Sequence, residues 1–117
     1  MNEVKEIIDM KKASCREMNV KELMQLLKMN VSIFWSWGVH NIRIDSVKNG
    51  YTKAFRMNVS GHHHKGHVYI FLSYMDLFDV YLTSTQGMIK QKIEGLYFDQ
   101  LVDWIDEKIE KIPEYSR

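Results

Sequence analysis

Four histidines crowd one short stretch: His62, His63, His64 and His67, with Gly61 before them and Gly66 among them. Imidazole suits zinc, nickel or copper, and a His-x-His pair such as His62 and His64 can put two rings on one strand face. His62, His64 and His67 are therefore the candidate metal ligands. A true site also needs three or four converging ligands and further groups to orient them. In an extended segment His63 and His67 point away from the His62/His64 pair. The leading expectation is a solvated, mobile loop tip with accessible imidazoles, partly charged near about pH 6.5, and no tight metal site. A loop that contacts anions or nucleic acid, with Lys65, ranks second. A metal centre ranks third, and no cofactor is expected.

The tryptophans could serve recognition. Trp35 and Trp37 stand two apart in VSIFWSWGV, so on a strand both rings share a face. Core packing is the first reading. The second makes Trp35, Trp37, Lys65 and Trp104 partner-binding candidates, because exposed tryptophans concentrate binding energy. Catalysis has thin support. There is no Gly-rich phosphate loop and no His-Glu-x-x-His. His40 or His67 could meet Asp45 or Asp79 as an acid–base pair, but any chain this rich in histidines and carboxylates offers such pairs. No catalytic residue is assigned, and the balance leans away from an enzyme. Cys15 is alone, so it has no intramolecular disulfide partner, and no base is implied beside it.

The elements that must carry these groups follow from hydrophobic periodicity. Val68 to Leu72 is apolar on both faces of a period-2 strand, which places it inside a sheet. Phe78, Val80 and Leu82 resume the alternation, giving two antiparallel strands over 67–84 joined near Ser73–Asp76. Lys48-Asn49-Gly50-Tyr51 is a strong hairpin signal, since Asn-Gly suits a type I′ turn. That turn sets Ile44 opposite Phe55 and Ile42 opposite Met57. Thr52 to Val59 should have one wet face. Residues 31–39 read as a strand, with Val31, Ile33, Trp35, Trp37 and Val39 on one side. The apolar parity then flips, so a bulge or break is expected between Gly38 and Asn41. Gln86-Gly87 reads as a turn and 88–94 as a lysine-guarded edge strand.

Helices are expected at both ends. Val4, Ile7 and Ile8 suggest one over 1–13. Asn19 and Glu22 cap a second, with Val20, Leu23, Met24 and Leu27 as its stripe. Phe98, Leu101, Val102, Ile105, Ile109 and Ile112 form the stripe of the last helix, which Pro113 stops. Its outward face is acidic: Asp99, Asp103, Asp106, Glu107 and Glu110.

Composition bounds the rest. The 117 residues suit one domain, with 1–18 read as a loosely attached helical arm. Net charge is +1, but residues 31–95 carry seven Lys/Arg against four Asp/Glu, while 96–117 carry three against six. The chain is dipolar rather than basic, and lacks the strong footprint of a duplex-binding domain. The charged N-terminus is no secretory signal, no apolar run is long enough to span a membrane, and a lone cysteine suits a reducing cytoplasm.

The strings WSWGVHN, VSGHHHKGHVYI and FDQLVDWID, taken as a set, resemble a family of small uncharacterised proteins carried by mobile elements and phages of gut bacteria. The resemblance covers about residues 31–110. It implies a small cytoplasmic accessory protein and transfers no functional residues. The fold expected is α+β: two N-terminal helices, an antiparallel meander of four or five strands, and a C-terminal helix packed on one sheet face. The function expected is a non-enzymatic binding module acting through protein contacts, as a homodimer or with an unknown partner. The alternatives are a nucleic-acid-associated protein using the sheet surface, the histidine loop and exposed Tyr or Trp rings, or a metal-dependent enzyme on His62, His64 and His67.

Overall fold

The computed structural model describes residues 20–29, 31–47, 52–61, 63–72 and 77–109. The helix expected over 1–13, Cys15, the Asn49-Gly50 turn, the Ser73–Asp76 connection and Pro113 lie outside these residues. Helices α1 (Val20–Leu27) and α2 (Val31–Ser36) lead into five strands, β1 (His40–Val47), β2 (Thr52–Ser60), β3 (Lys65–Leu72), β4 (Phe78–Thr83) and β5 (Ile89–Leu96). Helix α3 (Phe98–Ile109) follows. The strands form one antiparallel meander in the order β1-β2-β3-β4-β5. The α+β architecture is as expected, with β3 at the centre and buried on both faces.

The three described helices cover one face of the sheet. Leu23 and Leu27 of α1, Phe34 of α2, Trp37, and Leu101, Ile105 and Ile109 of α3 pack against Phe55, Met57, Val59, Val68, Ile70, Val80 and Leu82. Odd-numbered positions of β2 and even-numbered positions of β3 and β4 therefore face the helices, as the period of two requires. The opposite face carries a smaller apolar cluster of Ala54, Tyr69, Phe71 and Tyr81. Thr52–Val59 was expected to have a wet side, but Ala54 is buried and Arg56 and Asn58 are half-buried. Alternation identifies the two faces of a strand without telling how polar the covered one is.

Residues 31–36 are helix, not the strand that their period-2 pattern suggests. The same residues also satisfy a helical reading: Phe34 and Trp37 lie three apart and are fully buried, while Val31 and Trp35, four apart, are exposed. Burial of Phe34 and Trp37 against the sheet outweighs the strand preference of Val, Ile and Trp. The helix unwinds through i→i−3 bonds, Trp37 N to Phe34 O at 3.3 Å and Gly38 N to Trp35 O at 3.1 Å. Gly38, with φ +66°, turns the chain. The Trp37 carbonyl then accepts the Ser60 amide at 2.9 Å, tying the helix end to the end of β2.

The β1–β2 register pairs Ile44 with Phe55, as expected, and continues to Val47 with Thr52. It shifts between His40 and Arg43, where Asn41 has φ +49°. This is the bulge anticipated near Gly38–Asn41, and it displaces Ile42 from a simple pairing with Met57. β5 is the far edge strand. The Gln86-Gly87 turn closes with Gly87 N to Ser84 O at 3.0 Å, and Ser84 Oγ accepts the Met88 amide at 3.2 Å.

On α3, Leu101, Ile105 and Ile109 are core and Val102 is half-buried, but Phe98 is 66% exposed. Phe98 is the first helical residue, one position past the Tyr97 link from β5. There the Gln100 side-chain oxygen accepts the Tyr97 amide at 3.1 Å, half of a capping box. A stripe shows which face points inward, not how far the sheet beneath it extends. Asp106 corrects the acidic-face reading from the other side, since it is buried.

Candidate functional site

The histidine segment is a tight β2–β3 connection, not a mobile tip. Gly61 N donates to His64 O at 3.0 Å, and His63 N donates to Ile109 O at 2.6 Å, fastening the loop to the end of α3. Both glycines have steric reasons. A Cβ on Gly61 would overlap Ile109, and one on Gly66, where φ is +147°, would overlap the Thr83 carbonyl. His63 and Lys65 are exposed, and His62 lies outside the described residues. His64 and His67 depart from the expectation of accessible imidazoles: they are 6% and 9% exposed. His64 Nε2–H donates to the His67 carbonyl at 3.2 Å. Burial pushes the His64 imidazole below its usual pKa. The His67 carbonyl opposes that shift, and nearby Lys90 and His67 add to it. The Nε2 of His64 is thus engaged with backbone, and among the described residues no three His, Cys, Asp or Glu side chains are grouped to hold a metal.

The tryptophans separate. Trp37 is fully buried and donates Nε1–H to Asp106 Oδ1 at 3.0 Å, so it belongs to the core and not to a contact surface. Trp104 is half-buried against the same core, with Lys108 Nζ 6.0 Å from its ring. Trp35 is 53% exposed on α2, edge-on to Phe34 at 5.1 Å. Lys28 Nζ sits 5.6 Å from both of those rings.

Among the described side chains, the acid–base pairs of His40 or His67 with Asp79 do not form, and the Asp45 side chain lies outside the described ones. His40 Nδ1–H donates to its neighbour Gly38 O at 2.8 Å. Asp79 stands opposite Phe71, four rungs from the His67–Thr83 pair, and accepts the Gly95 amide at 3.0 Å. The tyrosines of the sheet, Tyr69 and Tyr81, are buried, so they offer no platform for stacking bases.

What sequence reasoning missed is a polar group on the sheet face away from the helices. Strand register builds two rows there. One runs Arg43, Arg56, Tyr69, Tyr81, Lys92 across all five strands; the other runs His40, Asn58, His67, Thr83. Three buried atoms in these rows lack hydrogen-bond partners: Arg56 Nε, Asn58 Oδ1 and His67 Nδ1. Burial lowers the His67 pKa, and the Arg56 charge lowers it further. The signal available in the sequence was the alternation of Arg56 and Asn58 with Phe55, Met57 and Val59. That alternation alone suggests a wet face.

No family model, no curated protein and no solved structure matches this chain. Among the described residues no helix is long and apolar enough to cross a membrane.

Proposed function

We propose that this chain is a non-enzymatic binding module that acts through protein contacts, pairing with a second copy of itself through the outer face of α2. The observation that carries the reading is Trp35, held half out of the fold one helical turn from Val31, which is equally exposed. Met29, 78% exposed, extends this apolar face just before the helix. Large aromatic side chains at the centre of an apolar patch supply most of the energy of many interfaces. Lys28, over the Trp35 ring, gives the patch a basic rim. The exposed acids of α3, Asp99, Asp103 and Glu107, are the complementary surface on a second copy. A two-fold arrangement would use both contacts twice. The reading agrees with the accessory role that the family resemblance implies.

Sedimentation equilibrium of the purified chain tests it. A concentration-dependent dimer, weakened at least tenfold by Trp35→Ala without loss of the folded circular-dichroism spectrum, is expected. A wild-type chain that stays monomeric at high micromolar concentration would overturn self-pairing.

A further inference from the structure

We infer that the sheet face away from the helices holds a binding site for a phosphate group, built on Arg56, Asn58 and His67 with Arg43 at its edge. Register places these residues together. Asn58 and His67 are directly opposed, and Arg56 lies two residues before Asn58 on the same face of β2. Directly opposed Cβ atoms lie about 5 Å apart and diagonal ones about 7–8 Å, so one tetrahedral anion can reach all three side chains.

Two independent features call for an anion. The first is the pairing of Arg43 with Arg56 across β1 and β2. Like charges directly opposed on a sheet destabilise it, and Lys92 continues the same row on β5. The second is the set of buried atoms without partners. A buried polar atom that bonds to nothing destabilises the fold, and three such atoms lie in one neighbourhood: Arg56 Nε, Asn58 Oδ1 and His67 Nδ1. Their chemistry selects among anions. Arg56 Nε can only donate, whereas Asn58 Oδ1 can only accept. A carboxylate offers acceptors alone and would leave Asn58 Oδ1 unmet. Hydrogen phosphate offers several acceptor oxygens together with one P–OH donor, and so satisfies both; His67 Nδ1 can serve in either sense. Asp79, on the same face, is bonded to the Gly95 amide and stands four rungs from the His67–Thr83 pair.

Calorimetric titration of the full chain with inorganic phosphate at low ionic strength tests the site, with thermal melting alongside. Saturable one-to-one binding and a rise in melting temperature are expected, with sulfate, which has no donor near neutral pH, binding more weakly. Arg56→Gln should weaken phosphate at least tenfold. Asn58→Asp should do the same while keeping or raising the melting temperature of the phosphate-free protein, because its carboxylate supplies Arg56 with an internal partner. That second variant separates loss of binding from loss of folding. A nucleoside monophosphate arm tells the free ion from a phosphomonoester, and whichever binds more tightly names the source. No saturable phosphate binding in a folded wild-type chain, equal affinity in Asn58→Asp, or binding of a single-stranded oligonucleotide without binding of phosphate would each overturn the proposal.

Discussion

Trp37 donates its indole N–H to the carboxylate of Asp106, 69 residues away in sequence, at 3.0 Å inside the core. The bond joins the residue that ends α2 to the inner face of α3, across the sheet edge where Ser60 bonds the Trp37 carbonyl. One residue thus meets three elements, and its ring is fully buried.

Trp37→Phe should therefore destabilise the fold by about 1–3 kcal/mol, because a buried acceptor loses a donor and the cavity is refilled only in part. Pairing it with Asp106→Leu should cost less than the sum of the single changes, since both polar partners are then removed together. Urea denaturation of the four-membered cycle measures this. Strict additivity would mean that the bond contributes nothing of its own.

Trp35 should behave in the opposite way. It shares a helix with Phe34 but points outward, so Trp35→Ala should shift stability by less than about 1 kcal/mol, whereas Trp37→Ala should cost about 3–5. Iodide quenching should reach the Trp35 fluorescence and spare that of Trp37. Equal protection of the two in a monomeric sample would contradict the orientation of α2.

That pair also shows how far the sequence was legible. The meander, the Ile44–Phe55 register, the bulge at the start of β1 and the inner stripe of α3 from Leu101 to Ile109 all follow from local patterns, and they are present. VSIFWSW satisfies two periods at once. Only the sheet on which Phe34 and Trp37 come to rest decides between them, and that sheet is built from residues 40–96. The histidine run misled for a related reason. Glycines beside polar residues suggested a flexible tip, but Gly61 and Gly66 are there because Ile109 and Thr83 crowd them. The Arg56–Asn58–His67 group needed the register of β2 with β3, which alternation alone does not supply.

The two kinds of glycine constraint can be separated by substitution. Gly66→Ala combines an unfavourable φ with overlap of the Thr83 carbonyl, so it should cost more than about 3 kcal/mol or prevent folding. Gly95, at φ +79°, has room for a Cβ, which would make only an ordinary contact with Leu77 Cδ1 at 3.7 Å. Gly95→Ala should cost only the backbone strain, about 1 kcal/mol. Denaturation midpoints for the two variants check the contrast, and similar losses at both sites would remove the argument from crowding.

The last expectation concerns acid. The pKa values of His64 and His67 are both lowered, in each case mainly by burial. Lys90 and His67 act on the first, and Arg56 on the second. A histidine with a lowered folded pKa binds fewer protons folded than unfolded. Stability linked to these rings is therefore complete above the unfolded value of about 6.5, and is lost as pH falls from there through the lowered folded values. Asp79 acts with the opposite sign. Burial raises its pKa, with Glu94 adding and the Gly95 amide opposing, so its folded form holds a proton longer. Its contribution falls as pH rises from the ordinary carboxylate range, about 3.9, through the raised value. Melting temperature should therefore decline from pH 7 toward pH 5 as the histidines begin to charge. His67→Gln should flatten that decline, while Asp79→Asn should leave it in place and alter only the more acidic limb. The measurement is thermal denaturation followed by circular dichroism across pH 4 to 8 for wild type, the two single variants and a variant with His64 and His67 both replaced by Gln. A wild-type profile flat between pH 7 and 5, or one that keeps its full slope with His67 and His64 both replaced by Gln, would show that these buried imidazoles do not govern the acid limb.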